Sequence, residues 1–361
     1  MVRNNPLADF YYYMISIDAQ SFSLKNPNGH DRTACFMHND KKSVHTGKHR
    51  LLLKVVFGLG TFFLLFFLFD PQTILATLAG TRVTYLLWAF VCCLFVLLAR
   101  AFRWMVILKD MGIHAMFWRI VEIYTISLWF NTFLPGSVGG DIYKVYGLVQ
   151  DGSRTIQSLA TVFIERFTGL MALITVAVLS VLFFSHMMPA PTWMLLSLIA
   201  IVAGGLFLLL FATRLTQPVC LFLRTYIPFL KRYLTDDHIT FISDMFGNML
   251  NERRLFVRAY GLGLVMQVLV LTSYYVVSLA LNEHIPFLFF LVFFPLIEII
   301  SLIPVTINGM GVRELVLVFF LKYAEVSPSF AISFSILVRL ILVVFALFGG
   351  YLLIRKRAER T

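Results

Sequence analysis

The stretch Phe133-Leu134-Pro135-Gly136-Ser137-Val138-Gly139-Gly140-Asp141-Ile142-Tyr143-Lys144 stops a hydrophobic run at a proline, passes through glycines and polar residues, and resumes with a cation. A second stretch, Leu302-Ile303-Pro304-Val305-Thr306-Ile307-Asn308-Gly309-Met310-Gly311-Val312-Arg313-Glu314, repeats the design. Lys144 follows Pro135 by the same nine positions that separate Arg313 from Pro304. Broken apolar segments at matching places in two halves of a membrane protein point to a binding site built where the halves meet. The function this suggests is transport.

The rest of the chain supplies the membrane setting. Hydrophobic residues make up 59% and charged residues only 14%, with 37 phenylalanines and a mean hydropathy of +0.84. That is far more apolar surface than a soluble core needs. A span needs roughly 20 apolar residues to cross about 30 Å of hydrocarbon. Six stretches qualify, at about 53–69, 83–103, 158–184, 192–212, 259–281 and 329–354. Two more, about 117–150 and 287–323, are apolar but interrupted, and each is long enough to enter the membrane, turn at its break and leave on the same side. The fold predicted is an all-α polytopic membrane protein with about six full spans and two re-entrant Pro/Gly-broken helical hairpins. Non-helical backbone at membrane depth is tolerated only where protein or a watery cavity satisfies it, so both breaks should face inward.

Basic residues orient the spans, because cytoplasmic flanks hold an excess of Lys and Arg. They cluster in residues 1–54, in the 100–119 connection (Arg100, Arg103, Lys109, Arg119), in 214–258, and at the C-terminus (Arg355, Lys356, Arg357, Arg360). Only Arg82 and Lys322 fall in the connections left for the opposite face, and Lys144, Arg166, Arg313 and Arg339 lie within membrane segments. Both termini are predicted to be cytoplasmic. On this topology the segments of residues 192–354 (repeat B) mirror those of 53–184 (repeat A), which describes an inverted-topology repeat able to expose one central site alternately to each side.

The intramembrane charges follow the same division. Arg166 and Arg339 each stand about ten residues into the last helix of their half, roughly 15 Å deep. An unpaired arginine at a helix centre costs at least about 2.5–3.5 kcal/mol, so such cations are read as functional, facing a partner or a wet cavity. The alternative is structural ion pairing, with Asp141, Glu165, Glu298 and Glu314 as partners. A guanidinium offers planar, bidentate donors suited to phosphate, and helix N-termini beside a glycine turn add backbone N–H groups. The expected ligand is anionic, with phosphate the best match. Gly136, Gly139, Gly140, Gly309 and Gly311 would allow close backbone approach, while Asn131, Ser137, Thr306 and Asn308 would replace lost hydration. The four carboxylates would balance the cations or carry a coupling proton.

The passage from Asn131 to Leu170, including Glu165-Arg166, resembles the flippase-like membrane domain of lysylphosphatidylglycerol synthases and their standalone relatives. Glu298, the stretch Ile303–Glu314 and Arg339 resemble that domain's second signature, so the similarity covers about 51–354. The resemblance implies lipid translocation between the leaflets of a bacterial cytoplasmic membrane. It also marks a departure, because no soluble aminoacyl-transferase domain follows the last span and the chain ends at Thr361. Synthesis of a lysyl-lipid is therefore not expected of it.

Other chemistry is weakly signalled. Cys35, Cys92, Cys93 and Cys220 form no CxxC pair, and no P-loop, GxSxG, HExxH or dinucleotide fingerprint is present. His30, His38, His45 and His49 with Cys35 match no zinc spacing, so no metal or cofactor is expected. Residues 1–50 read as a polar, disordered tail or as an extension upstream of the natural start, 214–258 as an amphipathic interfacial helix, and 355–361 as a basic terminus. Positive-inside bias accounts for the net charge of +11 without nucleic acid. The expected partners are membrane lipids with anionic headgroups and, if the chain acts as a scaffold, a separate lipid-modifying enzyme. A membrane-embedded enzyme acting on lipid phosphates is the other alternative.

Overall fold

The computed structural model describes residues 71–133, 139–184, 253–301, 311–322 and 326–359. The regular structure of the described residues is helical throughout: α1 (Pro71–Ala79), α2 (Val83–Asp110), α3 (Phe117–Phe133), α4 (Gly139–Gln150), α5 (Thr155–Phe184), α6 (Arg253–Ala280), α7 (Phe287–Ser301), α8 (Val312–Leu321) and α9 (Pro328–Ala358). Among the described residues, four helices are long and apolar enough to cross a membrane, over Val83–Asp110, Gln157–Ser180, Arg254–Ala280 and Pro328–Lys356. The stretches expected to span at 53–69 and 192–212, the tail 1–50 and most of 214–258 lie outside the described residues.

Two boundaries differ from the sequence reading. Helix α2 does not end near residue 103 but continues to Asp110, because Trp104, Ile107 and Leu108 pack into the interior with no exposure. Helix α6 begins at Arg253, inside the stretch expected to lie on the surface, since Leu255 and Ala259 are buried against Ile107 and Ile164. In both cases burial by neighbouring helices carries the helix beyond the roughly 20 residues that span hydrocarbon.

Helices α2 and α6 are 28 residues each and run antiparallel along the centre. At one end the Arg82 N–H donates to the Ala280 carbonyl (2.8 Å) and the Asn282 amide donates to the Gly80 carbonyl (2.7 Å). At the other, Arg258 pairs with Asp110 at 3.3 Å. Each helix then ends in the same backbone turn. Gly112 (φ 76°) donates to the Lys109 carbonyl and Ile113 to that of Leu108; Asn282 (φ 63°) donates to Leu279 and Glu283 to Ser278. This is a Schellman cap, which needs a left-handed residue at its corner, and Gly and Asn are the two that adopt it most readily. Six residues after each helix end, α3 and α7 begin.

The packing pattern also recurs. Helix α3 packs on α4 and α7 on α8, while α4 lies against α5 and α8 against α9. The first arm of each pair crosses to the other half of the chain, α3 against α9 and α7 against α5. The α3–α9 crossing is close: a Cβ on Gly349 would run into the Thr125 carbonyl, and one on Gly350 would meet the Trp129 ring. Small residues let membrane helices approach in this way. Around α7 the core is aromatic, with Phe289, Phe290, Phe293 and Phe294 buried, Phe290 meeting Phe334 of α9 at a tilt and Phe294 meeting it edge-on.

Candidate functional site

In the first half, α4 and α5 bring a lysine and a glutamate together away from solvent. Lys144 Nζ lies 2.9 Å from Glu165 Oε2, with side-chain exposures of 5% and 8%. The Tyr124 hydroxyl of α3 donates to the other oxygen, Oε1, at 2.9 Å. The ammonium also sits 3.7 Å from the centroid of the Tyr124 ring, a cation–π contact. Arg103 of α2, 7% exposed, donates to the Glu165 backbone carbonyl and, at 3.4 Å, to Thr168 Oγ1. Glycine makes room for it: a Cβ on Gly169 would approach the guanidinium to 3.1 Å, and one on Gly263 to 3.5 Å. One helical position beyond Glu165, Arg166 Nε donates to Asp141 Oδ2 at 2.9 Å, and this arginine is half exposed.

In the second half, Glu314 is the buried centre, with no exposure. Its Oε1 accepts from Arg339 Nε (2.9 Å) and Ser335 Oγ (2.6 Å), and its Oε2 accepts from the Gly311 N–H (2.6 Å). Gly311 has φ 84° at the N-cap of α8, so Glu314 closes the helix terminus from its first turn, where a negative charge also suits the helix dipole. Arg313 donates to Glu298 Oε1 and to the Tyr274 hydroxyl, both at 2.8 Å, and Tyr274 itself donates to Glu298 at 2.8 Å.

The four cations singled out in the sequence therefore each meet one of the four carboxylates: Lys144 with Glu165, Arg166 with Asp141, Arg313 with Glu298, and Arg339 with Glu314. Lys144 and Arg313, which the sequence aligns by their distance from proline, stand at different heights. Lys144 is the sixth residue of α4 and Arg313 the second of α8, about one helical turn apart. The arginine–carboxylate bridges Arg166–Asp141 and Arg339–Glu314 are the matching pair, each joining the last helix of its half to the first turn of the preceding helix across 25 residues. Asn131 Oδ1 accepts the Gly140 N–H at 2.9 Å, and Gly139 and Gly140 are buried where α4 starts. Pro135, Gly136, Ser137, Pro304, Thr306, Asn308 and Gly309 lie outside the described residues.

Between the halves an open cleft is walled by α2, α3, α6 and α9. Its surface is mostly apolar, with Cys93 and Arg100 from α2, Tyr124 from α3, Ser273 and Tyr274 from α6, and Ile341 among the residues of α9. The two tyrosines are those that hold Glu165 and Glu298, so one ion network from each half backs onto the cleft. The sequence reading assigned Arg100 and Arg103 to a polar connection, and the structure corrects this by placing one in the cleft wall and the other in the interior. A signal was present: the apolar run from Trp104 to Leu108 follows both arginines and marks a continuing buried helix. Tyr124 and Tyr274 carried no such signal, since tyrosines are common wherever an apolar surface meets a polar one. Among the described residues no group of three or more His, Cys, Asp or Glu is placed to hold a metal ion.

Residues 51–350 match the family described as the lysylphosphatidylglycerol synthase TM region, and this range holds both glycine breaks, all four ion pairs and the cleft. Two proteins of Methanothermobacter thermautotrophicus, both called UPF0104 membrane protein, are each 24% identical to this chain. One aligns over 310 residues, 81% of this chain and 91% of the relative, and the other over 297 residues, 77% and 85%. With four helices able to cross a membrane and a family match over most of its length, this chain belongs to the lysylphosphatidylglycerol synthase TM region family of multi-pass membrane proteins.

Proposed function

We propose that this protein is a lipid transporter of the cell membrane, a flippase that moves a phosphate-bearing or other anionic lipid between leaflets. The observation that carries the reading is the cleft between the halves, apolar over most of its wall, backed by one ion network from each half and lined by a cation, Arg100. Such a surface suits a molecule with a charged head and apolar tails. The recurrence of the helix order, the caps and the crossing contacts supports an inverted repeat, and the antiparallel course of α2 and α6 agrees with it. Alternating access would then be a rocking of the halves about the cleft, with both termini cytoplasmic.

Within this reading the ion pairs differ in role. Lys144–Glu165 is closed on all sides and holds α4 to α5. Arg166 is half exposed, so a phosphate can replace Asp141 as its partner with little desolvation. Ser137, Thr306 and Asn308 would serve the headgroup from the breaks, and Asp141, Glu298 or Glu314 would take a proton or re-pair when it leaves. The matching of these four cations to four carboxylates favours one other reading, a scaffold whose charges only hold helices together. Reconstituting the full chain in vesicles with a fluorescent anionic phospholipid separates the two. Arg166→Gln and Arg339→Gln should each lose leaflet exchange while remaining folded in the membrane. Exchange at the wild-type rate in both variants would remove the transporter assignment.

A further inference from the structure

Hydrogen bonds already made inside the cleft restrict what can be bound there. The Tyr124 hydroxyl donates to Glu165 and the Tyr274 hydroxyl to Glu298. The Ser273 hydroxyl donates to the Val270 carbonyl at 2.6 Å. Cys93 offers only a thiol, a weak donor. Arg100 is different: half-buried in the same wall, it has no hydrogen-bond or ion-pair partner among the described residues. It lies ten positions before Asp110, about 15 Å along α2 from the polar end that Asp110 forms with Arg258, and within the membrane-crossing helix Val83–Asp110. The cations that line the two ion networks are each matched with a carboxylate, whereas among the described residues no Asp or Glu lines the cleft.

We infer that Arg100 is the headgroup-binding residue of the cleft and that it takes one singly charged phosphodiester carrying no positive group of its own. The inference rests on the proposed function for the identification of the cleft as the lipid site. A guanidinium places two parallel N–H donors on the two free oxygens of a phosphodiester, and the charges cancel one for one. A phosphomonoester would bring further negative charge into a wall that has no second unpaired cation. A zwitterionic headgroup would bring an ammonium beside Arg100 with no carboxylate in the wall to receive it. The acyl chains would lie along Val96, Leu128 and Ile341. The site is one-sided, because the position 170 residues after Arg100, matching it by the starts of α2 and α6, is Val270, which lines the cleft from α6.

The test is native mass spectrometry of the full chain in detergent with equimolar phosphatidylglycerol, phosphatidylcholine and phosphatidic acid. The wild type should retain phosphatidylglycerol about tenfold or more over the other two, as expected for a charge-assisted bond. Arg100→Gln should abolish the preference and Arg100→Lys should keep part of it. Val270→Glu, which adds a carboxylate to the wall and leaves Arg100 in place, should abolish it as well, so the inference remains testable if Arg100→Gln fails to fold. Displacement of the lipid by millimolar dimethyl phosphate would assign the site to the free phosphodiester group, and resistance to it would assign the site to a whole lipid. A wild-type protein without the preference, or undiminished preference in folded Arg100→Gln or Val270→Glu, overturns the inference. Leaflet exchange in the same proteins keeps the two proposals apart. Selective binding without exchange would remove transport and leave Arg100 assigned, whereas unselective exchange that ignores Arg100→Gln would do the reverse.

Discussion

In the first half Asp141 of α4 meets Arg166 of α5, and in the second Glu314 of α8 meets Arg339 of α9, each across 25 residues and each at 2.9 Å. Around these bridges the halves are built differently. By the same register Gly140 corresponds to Arg313: the first hairpin presses a glycine onto Asn131 of the opposite arm, while the second reaches across with an arginine to Glu298. The burial is also exchanged. Arg166 is half exposed above a largely buried Asp141 and the enclosed pair is Lys144–Glu165, whereas Glu314 is itself the enclosed member of its bridge. Two cations of α2, Arg100 and Arg103, have no counterparts on α6, where Val270 and Ser273 stand 170 positions later. A shared helical frame thus holds an uneven charge distribution, with the excess cations beside the cleft on the first half.

Removing the enclosed carboxylate of the first half is expected to have the largest effect. Glu165→Leu leaves Lys144 buried and uncompensated, at a cost of about 3–5 kcal/mol. Temperature-ramp size-exclusion of the detergent-solubilised protein should show a large fall in the midpoint. Adding Lys144→Met should restore most of it, since a buried pair replaced by apolar groups of similar size is close to neutral. The matching change in the second half, Glu314→Gln, keeps the shape but removes the charge beneath Arg339, and about 2 kcal/mol is expected in the same assay. A Glu314→Gln loss larger than that of Glu165→Leu would reverse the assignment of the more enclosed centre.

The hairpins give a third comparison. In Gly140→Ala the new methyl would collide with Asn131 and the Ser127 carbonyl, and overpacking of this kind costs about 1–3 kcal/mol. Glu298→Gln in the second hairpin retains a hydrogen bond to Arg313 and should cost less. The smallest stability change is expected from Arg166→Gln, whose half-exposed bridge is worth about 1 kcal/mol or less. Its midpoint should stay near wild type although exchange is lost, and a midpoint shift as large as that of Glu165→Leu would make Arg166 a structural residue.

Much of this was legible residue by residue. The membrane class, the four long helices able to cross a membrane, the eight charged residues of the ion pairs and the family follow from local composition and from motifs contiguous in the chain, whereas the short helix α1 was not foreseen. The pairing of those charges was less so. Equal spacing from proline set Lys144 against Arg313, but helices α4 and α8 begin at different distances from their prolines, and a difference of four residues turns the helix once. The matching caps after α2 and α6 were also hidden, because glycine in one and asparagine in the other satisfy the same left-handed corner.

The sequence by itself determined that this chain is a helical membrane protein with charges inside its apolar segments, because hydropathy accumulates along the chain and the cost of charge in hydrocarbon does not depend on which helix carries it. Only the tertiary structure decided what each charge does. Arg100 and Arg103 read as a basic flank when α2 is considered alone, and become a cleft wall and a buried donor once α5 and α6 pack beside them. Ion pairing and solvent access act over a few ångströms between helices, and distance along the chain carries no information about which helices will be neighbours.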